Sequence, residues 1–313
     1  MALISVITPC FNEEGNVQKL SAAVKDIFER MDGYTYEHIF IDNSSTDKTG
    51  EILRDMAQKD KNVKVILNTK NFGWLRSPYH GLLQGRGVAT VYIPADFQEP
   101  PELIPEFLKK WEEGHRIVLG IKTKSRESRL LFAIRRFYYY LIRKASEIDH
   151  IDNFSGFGLY DKKFIDILKS INEPNPYFRG LVAEFGFDMT KVEYVQSKRA
   201  EGQTKANLYK LYDAAALGFV NHSKVPLRMA TFFGFFVAVI SFLTGVGYLV
   251  YKLLYWDWFE AGMAPMVIGL FFFAAVQLIF IGIIGEYIGA IYTQVKGRPL
   301  VIEKERINFD EDT

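Results

Sequence analysis

The sequence predicts an α/β domain, a mostly parallel sheet with helices on both faces, followed by a two-helix transmembrane hairpin. Three observations carry that expectation. Short β-branched, apolar runs at 3–8, 36–42, 63–68 and 88–94 alternate with helical patterns, the order that builds a parallel sheet. Two stretches, 229–251 and 261–285, run 23 and 25 residues without a charge, beyond the roughly 20 needed to span a bilayer core. Aromatic residues make up 15% of the 313 and gather in the last third, so the mean hydropathy of -0.01 averages two unlike parts.

Composition also excludes. A formal net charge of +1 lacks the basic footprint of a nucleic-acid binder. A single cysteine, Cys10, rules out an internal disulfide or a multi-cysteine metal cluster and fits a reducing compartment. Met1-Ala2-Leu3-Ile4-Ser5 has no basic n-region, so no cleavable signal peptide is expected.

The first strand, 3–8, is stopped by Pro9-Cys10-Phe11-Asn12-Glu13, and Asn16 is placed to cap a helix running to about residue 30. The second strand ends in Asp42 and the turn-rich Asn43-Ser44-Ser45-Thr46-Asp47, followed by a helix near 49–59. After the third strand come Lys70-Asn71-Phe72-Gly73 and a short helix ending near Gly85 or Gly87. The fourth strand leads into Pro94-Ala95-Asp96-Phe97-Gln98-Glu99-Pro100-Pro101, an acid and a second oxygen ligand just past a buried strand. Ligands of open α/β sheets bind at such carboxyl ends. No G-x-G-x-x-G follows the first strand, which disfavours a dinucleotide-binding dehydrogenase. Glu13 and Asp42 read either as turn and cap residues or, at successive strand ends, as ligand contacts.

A fifth strand is expected at 116–121. Between about 129 and 147 an apolar face is striped by Arg129, Arg136 and Arg143, seven residues apart. This reads as a basic helix lying on an anionic membrane surface, or as an ordinary helix packed on the sheet. A second amphipathic helix is expected at about 206–222. The loop that carries Arg199 and Lys205 around Gly202 suits two phosphates, or is simply a solvated charged loop. Spans of about 229–251 and 264–290 are joined by a loop rich in interfacial aromatics, Tyr255, Trp256, Trp258 and Phe259. That loop holds one positive residue, Lys252. Lys224, Arg228, Lys296 and Arg298 flank the outer ends, so the positive-inside rule puts the large domain and the tail in the cytoplasm. The organisation expected is a domain at 1–227, a hairpin at 228–295 and a cytoplasmic tail at 296–313, charged and mobile from Glu303 to Thr313.

Several segments resemble family 2 glycosyltransferases of the GT-A fold. Pro9-Cys10-Phe11-Asn12-Glu13 is similar to their "P-x-Y/F-N-E", 42–49 to "D-D-G-S-x-D-x-T", and 96–102 to "D-x-Q-x-P-P-E". Phe154-Ser155-Gly156-Phe157-Gly158-Leu159-Tyr160-Asp161 resembles the "F-x-G-F-G-L-Y-D" of bacterial polyprenyl-phosphate glucosyltransferases, which are related to dolichyl-phosphate mannose synthases. Asn43 departs from the usual second Asp, Ser44 from Gly, and Pro94 from the first acid of D-x-D.

The resemblance implies a bacterial inner-membrane enzyme that moves a hexose, glucose first among candidates, from a UDP-sugar to undecaprenyl phosphate with inversion. It implies Mg²⁺ or Mn²⁺ at Asp96 and Gln98. The nucleotide is expected among Pro9, Phe11, Glu13, Asp42, Lys70, Ala95 and Asp96, with Arg199 and Lys205 closing over the diphosphate. Arg126 and Arg129 are the candidates for the acceptor phosphate, and Asp152 or Asp161 for orienting acceptor or sugar beside Asp96. A processive polysaccharide synthase, with only two spans for a channel, and a non-enzymatic transport accessory are the alternatives. Self-association through Gly245, Gly247, Gly282, Gly285 and Gly289 is left open.

Overall fold

The computed structural model describes residues 1–123, 151, 153–171, 173–174, 176–197, 225–255 and 263–309. Its first half alternates as expected: β1 (Ala2–Cys10), α1 (Val17–Glu29), β2 (Tyr34–Asp42), α2 (Thr49–Lys59), β3 (Val63–Asn68), α3 (Gly73–Leu82) and β4 (Ala89–Tyr92). A 3-10 turn at Pro101–Leu103 leads into α4 (Ile104–Glu112), β5 (Ile117–Lys122), β6 (Phe154–Asp161), α5 (Lys162–Ser170), α6 (Phe178–Glu184) and β7 (Met189–Tyr194). Two long helices follow, α7 (Val225–Leu254) and α8 (Met263–Val295), and the chain then returns to the domain as β8 (Glu303–Ile307).

The eight strands form one sheet in the order β7-β5-β6-β4-β1-β2-β3-β8. β1 lies parallel to both β2 and β4, β2 to β3 and β5 to β7, while β6 and β8 run against the rest. The order turns at β1, which has β4 on one side and β2 on the other, so the ligand crevice of this sheet opens at its carboxyl end.

Side chains alternate across each strand and feed two cores. Ile4, Val6, Phe40 and Val65 face one way, against Leu20 and Val24 of α1, Leu53 of α2 and Phe107 of α4. Ile7, Ile39, Ile41 and Ile66 face the other, against Tyr79 and Leu82 of α3, Phe164 of α5 and Leu181 of α6. α1 is helical because Val17, Leu20, Val24 and Phe28 fall on one stripe. Asn16 stands at its N-cap position, yet its side chain donates to Glu13 (2.6 Å) instead of capping the helix.

β6 runs through the middle of the sheet although two of its residues are glycines. At Gly158 the β5 backbone comes so close that a Cβ would overlap the Val118 carbonyl oxygen. Gly158→Ala is expected to cost about 1–3 kcal/mol, since neither strand can retreat inside a packed sheet. Thermal melting of the purified variant checks it; an unchanged midpoint would mean that the strands have room to separate.

The predicted mobile tail is corrected. Residues 303–307 form the antiparallel edge strand beside β3, with Val65 opposite Ile307 and Leu67 opposite Glu305. Thr69 donates its backbone N–H to Ile302 (2.9 Å), Arg54 pairs with Glu305 (2.8 Å), and His80 meets Glu303 at 2.6 Å. The Asn308 amide donates to the carbonyls of Ala57 and Val63.

Leu227–Leu254 and Gly269–Val295 are long and apolar enough to cross a membrane, and neither is buried in the protein. At 1.5 Å per residue the first is about 42 Å long, against about 30 Å of hydrocarbon. Phe233 and Phe280 join the two helices edge to face, 6.1 Å apart. The amphipathic helices expected at about 129–147 and 206–222 lie outside the described residues.

Candidate active site

Three non-glycine residues with left-handed backbone sit just past the carboxyl ends of β1, β2 and β4: Asn12 (φ 58°), Ser44 (φ 64°) and Phe97 (φ 55°). Such conformations are costly and survive only where surroundings hold them, and they cluster at ligand sites. Here the loops lace each other together. Asn12 accepts from the Thr46 N–H through its side chain and donates its own N–H to the Ser45 hydroxyl, both at 2.8 Å. The Glu13 N–H donates to the Thr49 hydroxyl (2.9 Å). Pro9, Phe11 and Glu13 are thereby fixed at the mouth of β1.

Asp42, 4% exposed, ends β2 opposite Cys10. Burial pushes its carboxyl above the ordinary carboxylate range, against the pull of hydrogen bonds from the Ser45 hydroxyl and N–H. It therefore serves the turn and also fronts the crevice. Burial, then the nearby Asp42 carboxylate, pushes the Cys10 thiol well up, so Cys10 is no nucleophile.

Asn43 explains its own departure from the family pattern. Its amide nitrogen donates to Asn71 Oδ1 and the Gly73 carbonyl (both 3.0 Å), and its oxygen accepts from the Phe72 N–H (2.9 Å) and the Asn68 amide (3.3 Å). An aspartate would lose both donations and set a negative charge against two oxygens. Asn43 thus ties the β2 loop to the β3 loop, where exposed Lys70 lies over the Phe72 ring at 5.2 Å.

Beyond β4, buried Ala95 precedes Asp96, which is 8% exposed and accepts from the Gln98 N–H at 3.3 Å across left-handed Phe97. The Gln98 side chain accepts from Gln196, and its carbonyl accepts from the Ser197 N–H (3.3 Å). Glu99 is buried, accepts from the Tyr194 hydroxyl (3.1 Å) and meets Lys122 at 3.5 Å. The end of β7 thus braces the β4 loop, a role of Glu99, Tyr194 and Gln196 that nothing local in the sequence signals.

The sheet brings Pro9, Phe11, Glu13, Asp42, Lys70, Ala95, Asp96 and Gln98 to one edge. Asp161 is not among them, which corrects its expected catalytic role. β6 is antiparallel to β4, and Asp161 pairs with Ala89 at the start of that strand, the edge away from Asp96. It caps α5 by accepting from the Lys163 N–H and also accepts from Trp111 Nε1 and Arg116, each at 2.9 Å. Burial alone would raise its pKa; these bonds outweigh that and hold it low. Arg126, Arg129, Asp152, Arg199 and Lys205 lie outside the described residues.

A divalent metal fits this edge in one way. Among the described residues no three His, Cys, Asp or Glu side chains cluster for an all-protein cage. One carboxylate, Asp96, would suit Mg²⁺ or Mn²⁺ held jointly by protein and ligand phosphates; the Gln98 amide oxygen, which already accepts from Gln196, would have to offer the metal its second lone pair.

Residues 5–168 match the family model described as glycosyl transferase family 2, and relatives align along almost all of the chain. The chain belongs to glycosyl transferase family 2. It is 34% identical over 303 residues to the SfII prophage-derived bactoprenol glucosyl transferase of Shigella flexneri, covering 96% of this chain and 97% of that one. It is 34% identical to the glycosyltransferase YkcC of Bacillus subtilis over 98% of this chain and 94% of the relative. Among solved structures, mannosyl-3-phosphoglycerate synthase from Rubrobacter xylanophilus aligns with a TM-score of 0.49 at 18% identity, over 73% of this chain and 74% of its own. The matched span of this family 2 glycosyltransferase runs from β1 into α5 and holds every loop of the crevice described above, on a GT-A-like, mostly parallel sheet.

Proposed function

We propose that this family 2 glycosyltransferase moves a hexose, glucose first among candidates, from a UDP-sugar to a polyprenyl phosphate, inverting the anomeric carbon and releasing UDP. The observation that carries the reading is the likeness to bactoprenol glucosyl transferases, which runs along 96% of this chain, apolar hairpin included. The crevice adds chemical support. A phosphate monoester carries about -1.5 to -2 charges at neutral pH and is already a nucleophile, so the chain need not supply a strong base. Its tasks are to hold donor and acceptor in line, exclude water and meet growing charge on the departing UDP.

Pro9, Phe11, Glu13, Asp42, Lys70 and Ala95 would line the nucleotide, with Arg199 and Lys205 on its diphosphate and Arg126 and Arg129 on the acceptor phosphate. Asp96 and Gln98 would hold Mg²⁺ or Mn²⁺, which when bound neutralises the diphosphate. We place the reaction on the cytoplasmic face of a bacterial plasma membrane. β8 lies in the same sheet as β1, so the segments before α7 and after α8 both lead to one domain, as a membrane hairpin requires. Incubating the purified chain with labelled UDP-glucose, undecaprenyl phosphate and Mg²⁺ tests the reading. Label should pass into the lipid fraction and should stop on chelation; label released only as free glucose would refute it.

A further inference from the structure

On the face of the sheet covered by α3 and α6 lies a cleft walled by Trp74, Leu75, Pro78, Leu82, Tyr92 and Phe178. Its cavity is about 90 Å³ and opens to solvent, a shallow trough rather than an enclosed pocket. It adjoins the crevice: Tyr92, the last residue of β4, stands in its wall, and its phenol lies within electrostatic reach of Glu99, Arg179 and Asp96.

The chemistry of the walls discriminates between occupants. Apolar and aromatic groups dominate, and Trp74 offers an indole that is 53% exposed. The Tyr79 hydroxyl is already spent on the Leu168 carbonyl (3.3 Å). A hexose here would find only Ser155, Arg179 and the Tyr92 and Tyr177 hydroxyls among otherwise apolar walls, and each sugar hydroxyl left unsatisfied costs about 1–3 kcal/mol. A hydrocarbon chain would not. The lining also holds one cation, the half-buried Arg179. An apolar trough with an arginine, next to the carboxylate where the donor phosphates are expected, is complementary to an amphiphile made of a phosphate and a hydrocarbon tail.

We propose that this cleft takes the first isoprene units of the lipid acceptor and that Arg179 pairs with its phosphate. The assignment rests on the function proposed above, and the test separates the two. With the full chain in lipid nanodiscs, Arg179→Gln should raise KM for undecaprenyl phosphate about tenfold or more, the loss of about one charge-assisted hydrogen bond. KM for UDP-glucose, calorimetric affinity for UDP and the melting midpoint should stay unchanged. Arg179→Lys should recover part of the loss, and exposed Trp74→Ala should raise the lipid KM without disturbing the fold. A fall in donor affinity with lipid KM unchanged would overturn the assignment in favour of a sugar subsite. No change in either constant would overturn it outright. If the parent chain transfers nothing to lipid, the functional reading fails, and retention of undecaprenyl phosphate by native mass spectrometry decides the cleft on its own. Equal retention by the parent and Arg179→Gln would then sink it.

Discussion

Asp96→Ala is expected to lower kcat for sugar transfer by about 10³-fold, roughly 4 kcal/mol of transition-state stabilisation. Membrane insertion and melting should stay those of the parent chain. The size follows from the lack of a substitute. Where the family pattern has a first acid this chain has Pro94, and among the described residues no three-ligand cluster could take over a metal. The position is also rigid: Phe97 holds a left-handed turn and the Gln98 N–H reaches back to the carboxylate at 3.3 Å. Truncation should therefore remove charge from the crevice without collapsing the loop, which Glu99, Tyr194 and Gln196 hold from the far side. Steady-state kinetics and calorimetric binding of UDP with Mn²⁺ check it; undiminished kcat would remove Asp96 from the mechanism. Asp161→Asn is the matched control. It weakens the cap of α5 and the pairing with Arg116, so it should lower the melting midpoint and leave kcat near the parent value at permissive temperature.

The contrast between those two aspartates shows what could be read in advance. Asp96 was legible because a β-branched run and a double proline bracket it, and strand-end acids in parallel sheets face ligands. Asp161 sits in a glycine-rich motif that looks equally chemical. Its direction along the strand decides its place, and direction depends on which neighbour β6 pairs with, a long-range choice that local pattern does not encode. One local signal was available: Asp161-Lys162-Lys163-Phe164, an acid just before an apolar helical stripe, is an N-cap pattern. β1 to β4 were readable because each is a continuous apolar run closed by turn residues. β6 was not read as a strand, since Gly156 and Gly158 dilute its propensity and their role becomes visible only against Val118. Asn43 looked like a defect in a motif, and only its four hydrogen bonds show why an amide stands there.

β8 is the largest departure from expectation, and removing it carries the second large effect. A chain ending before Glu303 should lose about 3–5 kcal/mol and melt about 10 °C lower. Glu303-Lys304-Glu305-Arg306-Ile307 reads as a solvated tail because four of its five residues are charged, yet in the sheet its side chains alternate between half-buried and exposed, as an edge strand with one wet face does. Its partners are tertiary: Arg54 for Glu305, His80 for Glu303, and the carbonyls of Ala57 and Val63 for Asn308. Without it the β3 edge is bare, so the shortened chain should also aggregate sooner. The effect should fade in acid. Burial would raise the Glu303 pKa, but hydrogen bonds from His80 and Arg306 pull it down to about 2, below its ordinary 4.5. A depressed carboxyl stabilises fully above its unfolded value and loses that contribution as pH falls toward the folded one. The gap in melting between full and shortened chains should therefore narrow from pH 4.5 toward pH 2. Equal melting of the two chains at neutral pH would mean that β8 does not hold the sheet edge, and with it would go the structural reason for placing both ends of the hairpin on one side.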